Sequence, residues 1–544
     1  MTRPAPTPDR QRLVRRLVHR LLLLPVVLPA AATALATPAL AQKKPPMEFT
    51  RQGLLVLNFT PGPGVDVKVG RKAGDRVRDR AGDLVNSREV DVVSAARARE
   101  RLERDGFPSD IGLEPAVFNQ VSRALRADEY VMGTVTRRGD AYRIDGELRL
   151  VRSAGTRQPL EPGVNADLDL AGDVVARSLV AMRAQLVHER RCMNALREGR
   201  GAQALDAAKQ GITAVPRGAF VRACEVGALI ATSAPAARVL AAAESLLAID
   251  STSREGLDGA GRALNALQRR DAAGTMWLRL AATDTESVDL TLRAAGGLLE
   301  GGNAKRALPL LKKAIELHPE DVTLVRLEWQ AAFNAKEWAL AAEVGDSLLT
   351  RDEPSASDTT FRLRHAAAHR AAGHTLKAME LAARGVQQFP KHAPLYVLYT
   401  ELVQAERDSV VPRGLATFPK SAELHALAAK DLKTRGKAEE ALAAMQQAVA
   451  LDSTLPQGVL AIAQAEFDLG RPDSAFLSLS RALKRGEDTA AVAQFALAKG
   501  NVLLRAAGQT QVRDDYARAR SASSRSPTRP ARRRSRSSCS APRR

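Results

Sequence analysis

"AKRALPLLKKAIELHP", residues 304–319, reads as one amphipathic helix with a built-in stop. Apolar residues return every three or four positions, Ala307 and Ala314 stand seven apart, and Pro319 ends the run. The same phrase recurs on both sides of it. Upstream it is "AQALDAAKQGITAVP", "AARVLAAAESLLAIDS" and "DAAGTMWLRLAATDT"; downstream it is "WALAAEVGDSLLTRDE", "TLKAMELAARGVQQFP", "AEEALAAMQQAVALDS" and "PDSAFLSLSRALKRGE". The aligned closing residues are Pro216, Ser251, Thr285, Pro319, Glu353, Pro390, Ser453 and Glu487, most of them 34 apart or close to it. The long step from Pro390 to Ser453 holds two units, the first a shortened copy ending "RGLATFP".

A small residue marks one position of the second helix in each unit: Ala204, Ala273, Ala307, Ala341, Ala378, Ala441 and Ala475. Two helices cross closely only where Cβ bulk is missing, so a small residue once per unit predicts a chain of helical hairpins. Period and packing position together resemble the tetratricopeptide repeat. About nine copies run from near residue 185 to near 487, and a final helix pair is expected to begin at "AAVAQFALAKGNVLLRAAG". Departures are Val239 at the small position, Trp329 where a small residue is usual, and the shortened copy, which should bend the stack. The resemblance implies a groove lined by the first helix of each repeat that takes a protein or peptide partner. In the family's register its candidate residues are Arg262, Arg326, Gln330, Arg370, Glu401, Lys430 and Lys433, mostly basic, which mildly favours an acidic or amphipathic segment.

Before the repeats the texture differs. "QGLLVLNFT" and "REVDVVS" read as strands, and "VKVGRKAGDRVRDRAGDLV", "AARARERLERDGF" and "EPAVFNQVSRALRA" as helices. In "EYVMGTVTRRGDAYRIDGELRLV" Val131, Gly133 and Val135 alternate on one arm and Tyr142, Ile144, Leu148 and Leu150 on the other. That pattern predicts a hairpin with one buried face, turning at Arg138-Gly139-Asp140, where Gly-Asp is turn chemistry and not an adhesion signal. The opening "VLNF", the strand "VDVVS" and the segment "RALRADEYVMGTVTRRGDAYRIDGELRLV" resemble the TolB amino-terminal domain and its CsgG- and FlgO-like relatives. That resemblance implies an α/β protein-docking module of the cell envelope with no catalytic residues. The Gly-rich "TPGPGVDVKVGRKAG" lacks the G-K-[ST] of a phosphate loop.

The expected organisation is therefore a leader at 1–41, a linker at 42–50, the α/β domain at 51–180, an all-α repeat solenoid at 181–512 and a tail at 513–544. "RQRLVRRLVHR", the Pro-interrupted "LLLLPVVLPAAAT" and Ala39-Leu40-Ala41 fit a secretory signal peptide cut after Ala41. Export to the periplasm or beyond follows as an expectation. The net charge of +20 is concentrated at the two ends: six Arg against one Asp in 1–41 and ten Arg against no acid in 516–544 leave about +5 for everything between. The body is thus no nucleic-acid binder by charge. The tail has no apolar periodicity and predicts disorder. Arg, Ser, Pro and Ala are also what GC-rich DNA encodes out of frame, which predicts a frameshifted end from about Ala519.

Catalytic patterns do not emerge, and the expectation is a non-enzymatic chain without cofactor or metal. "HAAAHRAAGH" sets His365, His369 and His374 at helical spacing, but Ala366 stands where a zincin needs Glu, and both leading histidines fall on an inward face. Cys192 and Cys224 lie nearly one repeat apart, on neighbouring first helices; they are either a disulfide or two buried thiols. Two functions compete. One is an exported scaffold in cell-envelope assembly or signalling, holding a protein or peptide in the repeat groove, with no nucleic acid and no membrane span in the mature chain; the alternative is a polyanion or nucleic-acid binder acting through the Arg-rich tail.

Overall fold

The computed structural model describes residues 51–108, 112–403 and 406–510. The leader, the linker and the Arg-rich tail lie outside them.

The α/β domain runs β1 (Gln52–Val56), β2 (Thr60–Pro61), α1 (Val67–Leu84), β3 (Val90–Val92), α2 (Ala95–Arg104), α3 (Pro115–Ala124), β4 (Glu129–Arg138), β5 (Ala141–Leu150), β6 (Ser153–Pro159), β7 (Gly163–Asn165) and α4 (Leu168–Arg183). The sheet order is β3-β1-β4-β5-β6, with β2 added beside β4 and β7 beside β5. β1 pairs in parallel with β3 and β4, and β4 pairs antiparallel with β5. Gly139 turns the β4–β5 hairpin at φ +59°, a conformation natural to glycine. Val131, Val135, Ile144, Leu148 and Leu150 are buried with residues of α1 and α4. The expectation of a single buried face needs correction, because Tyr130 packs on the opposite side with Phe118 of α3 and Leu102 of α2. Helices therefore cover both faces of the sheet where β1 and β4 meet.

α4 runs through to Arg183, so the boundary expected at residue 180 falls inside a helix, and the hairpins start at Leu186. They are α5 (Leu186–Arg197) with α6 (Gly201–Ala214), α7 (Ala219–Ala231) with α8 (Ala236–Leu247), α9 (Arg254–Ala266) with α10 (Arg270–Ala282), and α11 (Val288–Glu300) with α12 (Ala304–Leu317). Next come α13 (Val322–Asn334) with α14 (Trp338–Arg351), a short α15 (Glu353–Ser357), and α16 (Thr359–Ala371) with α17 (Thr375–Gln388). The series closes with α18 (Ala393–Leu402) and α19 (Arg407–Thr417), α20 (Ala422–Thr434) and α21 (Ala438–Leu451), α22 (Gly458–Asp468) and α23 (Pro472–Lys484), and α24 (Thr489–Thr510). Where a final helix pair was expected, the described residues hold the single helix α24.

The recurring alanines Ala204, Ala273, Ala307, Ala341, Ala378, Ala441 and Ala475 are all buried, which is what close helix crossing requires of them. Trp277 of α10 shows the same rule from the other side. Its indole lies where a Cβ on Gly261 of α9 would come within 2.6 Å and one on Gly297 of α11 would overlap, so two glycines make its slot. Trp329 keeps its bulk by packing on Phe361 of the next hairpin, centroids 4.7 Å apart.

The sheet and the first hairpins form one body through β6. Thr156, Arg157 and Gln158 meet the amino ends of α7 and α9, where the first backbone amides of a helix have no partner within it. Gln158 Oε1 accepts from Ala219 N at 2.7 Å; Gln185 Oε1 accepts from Phe220 N and Val221 N at 2.9 and 3.3 Å, and its amide donates to Gln158 Oε1 at 2.9 Å. Arg157 donates to Asp250 from its backbone and its guanidinium, and Thr156 shares a 2.7 Å hydrogen bond with Ser253, which caps α9. The outermost strand is thereby covered instead of presenting an open edge.

Candidate functional site

The first helices of successive hairpins touch one another along α5, α7, α9, α11 and α13, and again along α16, α18 and α20. Among the described residues no comparably close contact joins two second helices. Helices nearer on one side than on the other curve the stack toward the nearer side, so the first helices share an inner face.

All seven residues expected on that face stand on first helices, but most are engaged with neighbours. Arg262 donates to Asp258 one turn earlier at 2.8 Å. Arg326 holds Asp352, the residue after α14, with two guanidinium nitrogens at 2.9 and 3.1 Å. Arg370 of α16 pairs with Glu401 of α18, and Lys433 of α20 with Asp468 of α22 at 3.0 Å. Both of these pairs join the carboxyl ends of successive first helices like rungs. Gln330 and Lys430 are exposed without a partner of this kind.

Asp352 is held off its ordinary value by its partners. Its burial acts to raise the carboxyl, but hydrogen bonds from Ser355 and Arg326 outweigh that and hold it below its ordinary value of 3.8. Arg326 therefore has a structural task, tying α13 to the end of α14.

The face also meets the sheet. A hollow of ≈ 380 Å³ opens between the β5–β6 turn and the first helices α7, α9 and α11, bordered by Arg152, Ile230, Arg254, Asp258, Asp289 and Arg293. Its charges are of both signs, and the sequence reading did not single it out. The reason is that β6 carries little hydropathy signal of its own.

Cys192 of α5 and Cys224 of α7 are bonded to each other, Cα atoms 6.3 Å apart, beneath this end of the face. The bond ties the first hairpin to the second.

The three histidines of "HAAAHRAAGH" come together with a residue the sequence reading missed. Asp346 of α14 reaches His365 and His369 of α16, its Oδ1 lying 3.2 and 3.3 Å from their Nε2 atoms. His365 fits only because residue 345 is glycine, where a Cβ would overlap the imidazole. Burial pushes His365 down to about 4 and lowers His369 as well, each against the pull of Asp346, so both rings are neutral near pH 7. The acid pair Glu439-Glu440 does point apart, to Arg471 and to Lys437.

No family model matches the chain, and no curated protein does. Solved structures similar to parts of it are repeat proteins. YrrB, described as a TPR protein with an unusual peptide-binding site, is 19% identical over 35% of this chain and 96% of its own, at a TM-score of 0.30. The C-terminal part of a TPR repeat-containing protein from Cytophaga hutchinsonii is 15% identical over 50% of this chain and 99% of its own, at 0.34. Pseudomonas aeruginosa PilF is 15% identical over 41% and 98%, at 0.29. With scores this low the likeness carries no argument, and the array is described by its own period and hairpins.

Proposed function

We propose that this chain is an exported, non-enzymatic scaffold that holds a protein or peptide partner on the face shared by its first helices. The observation that carries the reading is that face itself: first helices in contact from α5 to α13 and again from α16 to α20, with paired rungs along the second run and exposed polar residues such as Gln330 and Lys430. Extended surfaces of this kind suit extended or helical segments, not small substrates. The amino-terminal domain, in the manner of the TolB-like modules its sequence resembles, is a second docking element fused to the start of the array.

Export is supported by the leader pattern and by the Cys192–Cys224 bond, which suits an oxidising compartment. No described helix is long and apolar enough to cross a membrane.

The test is capture from envelope fractions by the mature chain, with Gln330→Glu and Lys430→Glu combined as the control variant. A partner that binds the native chain and is lost from the charge-altered one supports the reading. No envelope partner, or equal capture by both, overturns it.

A further inference from the structure

Three side-chain atoms in the middle of the array stand in an arrangement that the scaffold role does not require. His365 Nε2, His369 Nε2 and Asp346 Oδ1 form a near-equilateral triangle with edges of 3.1, 3.2 and 3.3 Å. An ion bound tetrahedrally at 2.0–2.1 Å separates its donors by about 3.3–3.4 Å, so the triangle is close to one face of such a shell already. We propose that Asp346, His365 and His369 bind a divalent transition-metal ion, zinc by the nature of its donors, between the fifth and sixth hairpins.

The donor set favours that class. Two imidazoles and one carboxylate suit Zn²⁺ and its borderline neighbours, whereas Mg²⁺ and Ca²⁺ take oxygen shells. The ligand atoms come from two helices, α14 and α16, so binding ties one hairpin to the next. His369 is oriented from behind: its Nδ1 lies 3.4 Å from Nδ1 of His374, and donation across that gap leaves the Nε2 lone pair free for the ion. His365 is stacked on Phe361, centroids 5.5 Å apart, which fixes its ring plane; its Nε2 also donates to the Ala342 carbonyl oxygen at 3.2 Å, a hydrogen bond that ion binding must displace by moving the proton to Nδ1.

Access is also present. Asp346, half-exposed, borders an open hollow of ≈ 560 Å³ that Arg362, Lys377 and Arg384 line as well. Three protein donors leave one tetrahedral position for solvent. Lys377 and Arg384 are both drawn to Glu380, at 3.6 and 2.5 Å, but the hollow remains basic, which makes the single carboxylate of Asp346 decisive for holding a cation.

The sequence alone favours packing for these histidines, because the third ligand lies on the preceding hairpin and no zincin glutamate is present.

The experiment uses the tag-free mature chain, stripped of metal and titrated with Zn²⁺ and with Co²⁺. One equivalent of Zn²⁺, a rise in melting temperature on binding, and the intense visible absorption of four-coordinate Co²⁺ are expected. Asp346→Asn keeps the size and exposure of the side chain and should lower affinity by at least roughly 10–100-fold, while His374→Ala, acting from behind His369, should cost roughly 10-fold. Circular dichroism establishes that each variant is folded. Folded native chain that takes up no stoichiometric ion, or Asp346→Asn binding as tightly as the native chain, overturns the proposal.

Discussion

The two ends of the array are held differently. From α7 to α13 a single buried cluster runs unbroken from Ala219 to Ala331; β6 and the Gln158–Gln185 pair anchor its amino-terminal end to the sheet, and the Cys192–Cys224 bond ties the first hairpin to the second. From α13 onward the core divides into smaller clusters, around Trp329 and Phe361, around Leu381 and Leu398, and around Ile462 and Phe476. Stacked repeats draw stability from their own packing and from each neighbour, so a divided core means weaker coupling along the chain. The comparison teaches that the hairpins from α7 to α12 act as one cooperative unit, joined to the sheet through β6, while the carboxyl-terminal hairpins open more independently. Hydrogen exchange should accordingly be slowest in α7–α11 and fastest in α18–α23.

The largest way to break that difference is Trp277→Ala, which empties the slot between Gly261 and Gly297. A loss of about 3–5 kcal/mol is expected. Exchange in α9–α11 should rise toward the rate of the last hairpins, with little change in α20–α23. Opening the Cys192–Cys224 bond, by reduction or by replacing both with Ala, removes a cross-link closing 32 residues of separation. That should cost about 3–4 kcal/mol, read as a lower melting temperature of the amino-terminal hairpins with that of the carboxyl-terminal hairpins unchanged. Gln185→Leu leaves the amides of Phe220 and Val221 without their acceptor and should cost about 1–3 kcal/mol, placed by exchange at the start of α7.

Asp352 sharpens the other half of the comparison through pH. Its folded value lies below 3.8, so the stability it contributes is complete above 3.8 and is lost as pH falls through the lower, folded value. Arg326→Ala should therefore weaken the α13–α16 region near pH 7, and the difference from the native chain should shrink in melts taken at about pH 3. The smallest effect belongs to the exposed rung Arg370–Glu401. Arg370→Ala should cost no more than about 1 kcal/mol, as exposed ion pairs commonly do.

The hairpins were legible because the same demand is written once per unit: an alanine where helices cross and a stop where the second helix ends. The β4–β5 hairpin was legible for a similar reason, since its alternation is apolar. β6 was not, because Thr156 and Gln158 are buried by hydrogen bonds to helix ends instead of by apolar contact, and hydropathy is blind to that. The inner face was legible only as a list of first-helix residues. Which of them are engaged depends on partners a repeat away, as with Arg370 and Glu401. Asp346 stayed hidden in the same way. The one local hint was Gly345 beside it, a gap in α14 that an imidazole from α16 fills.

The central claim is that the first-helix face holds the partner. A photo-crosslinking residue placed at Gln330 or Lys430 on that face, and at Lys313 or Gln446 on second helices, tests it in living cells. The account predicts crosslinks to a distinct protein from the two first-helix positions and none from the second-helix positions. Equal crosslinking from both sets, or crosslinks from the second helices alone, would contradict it.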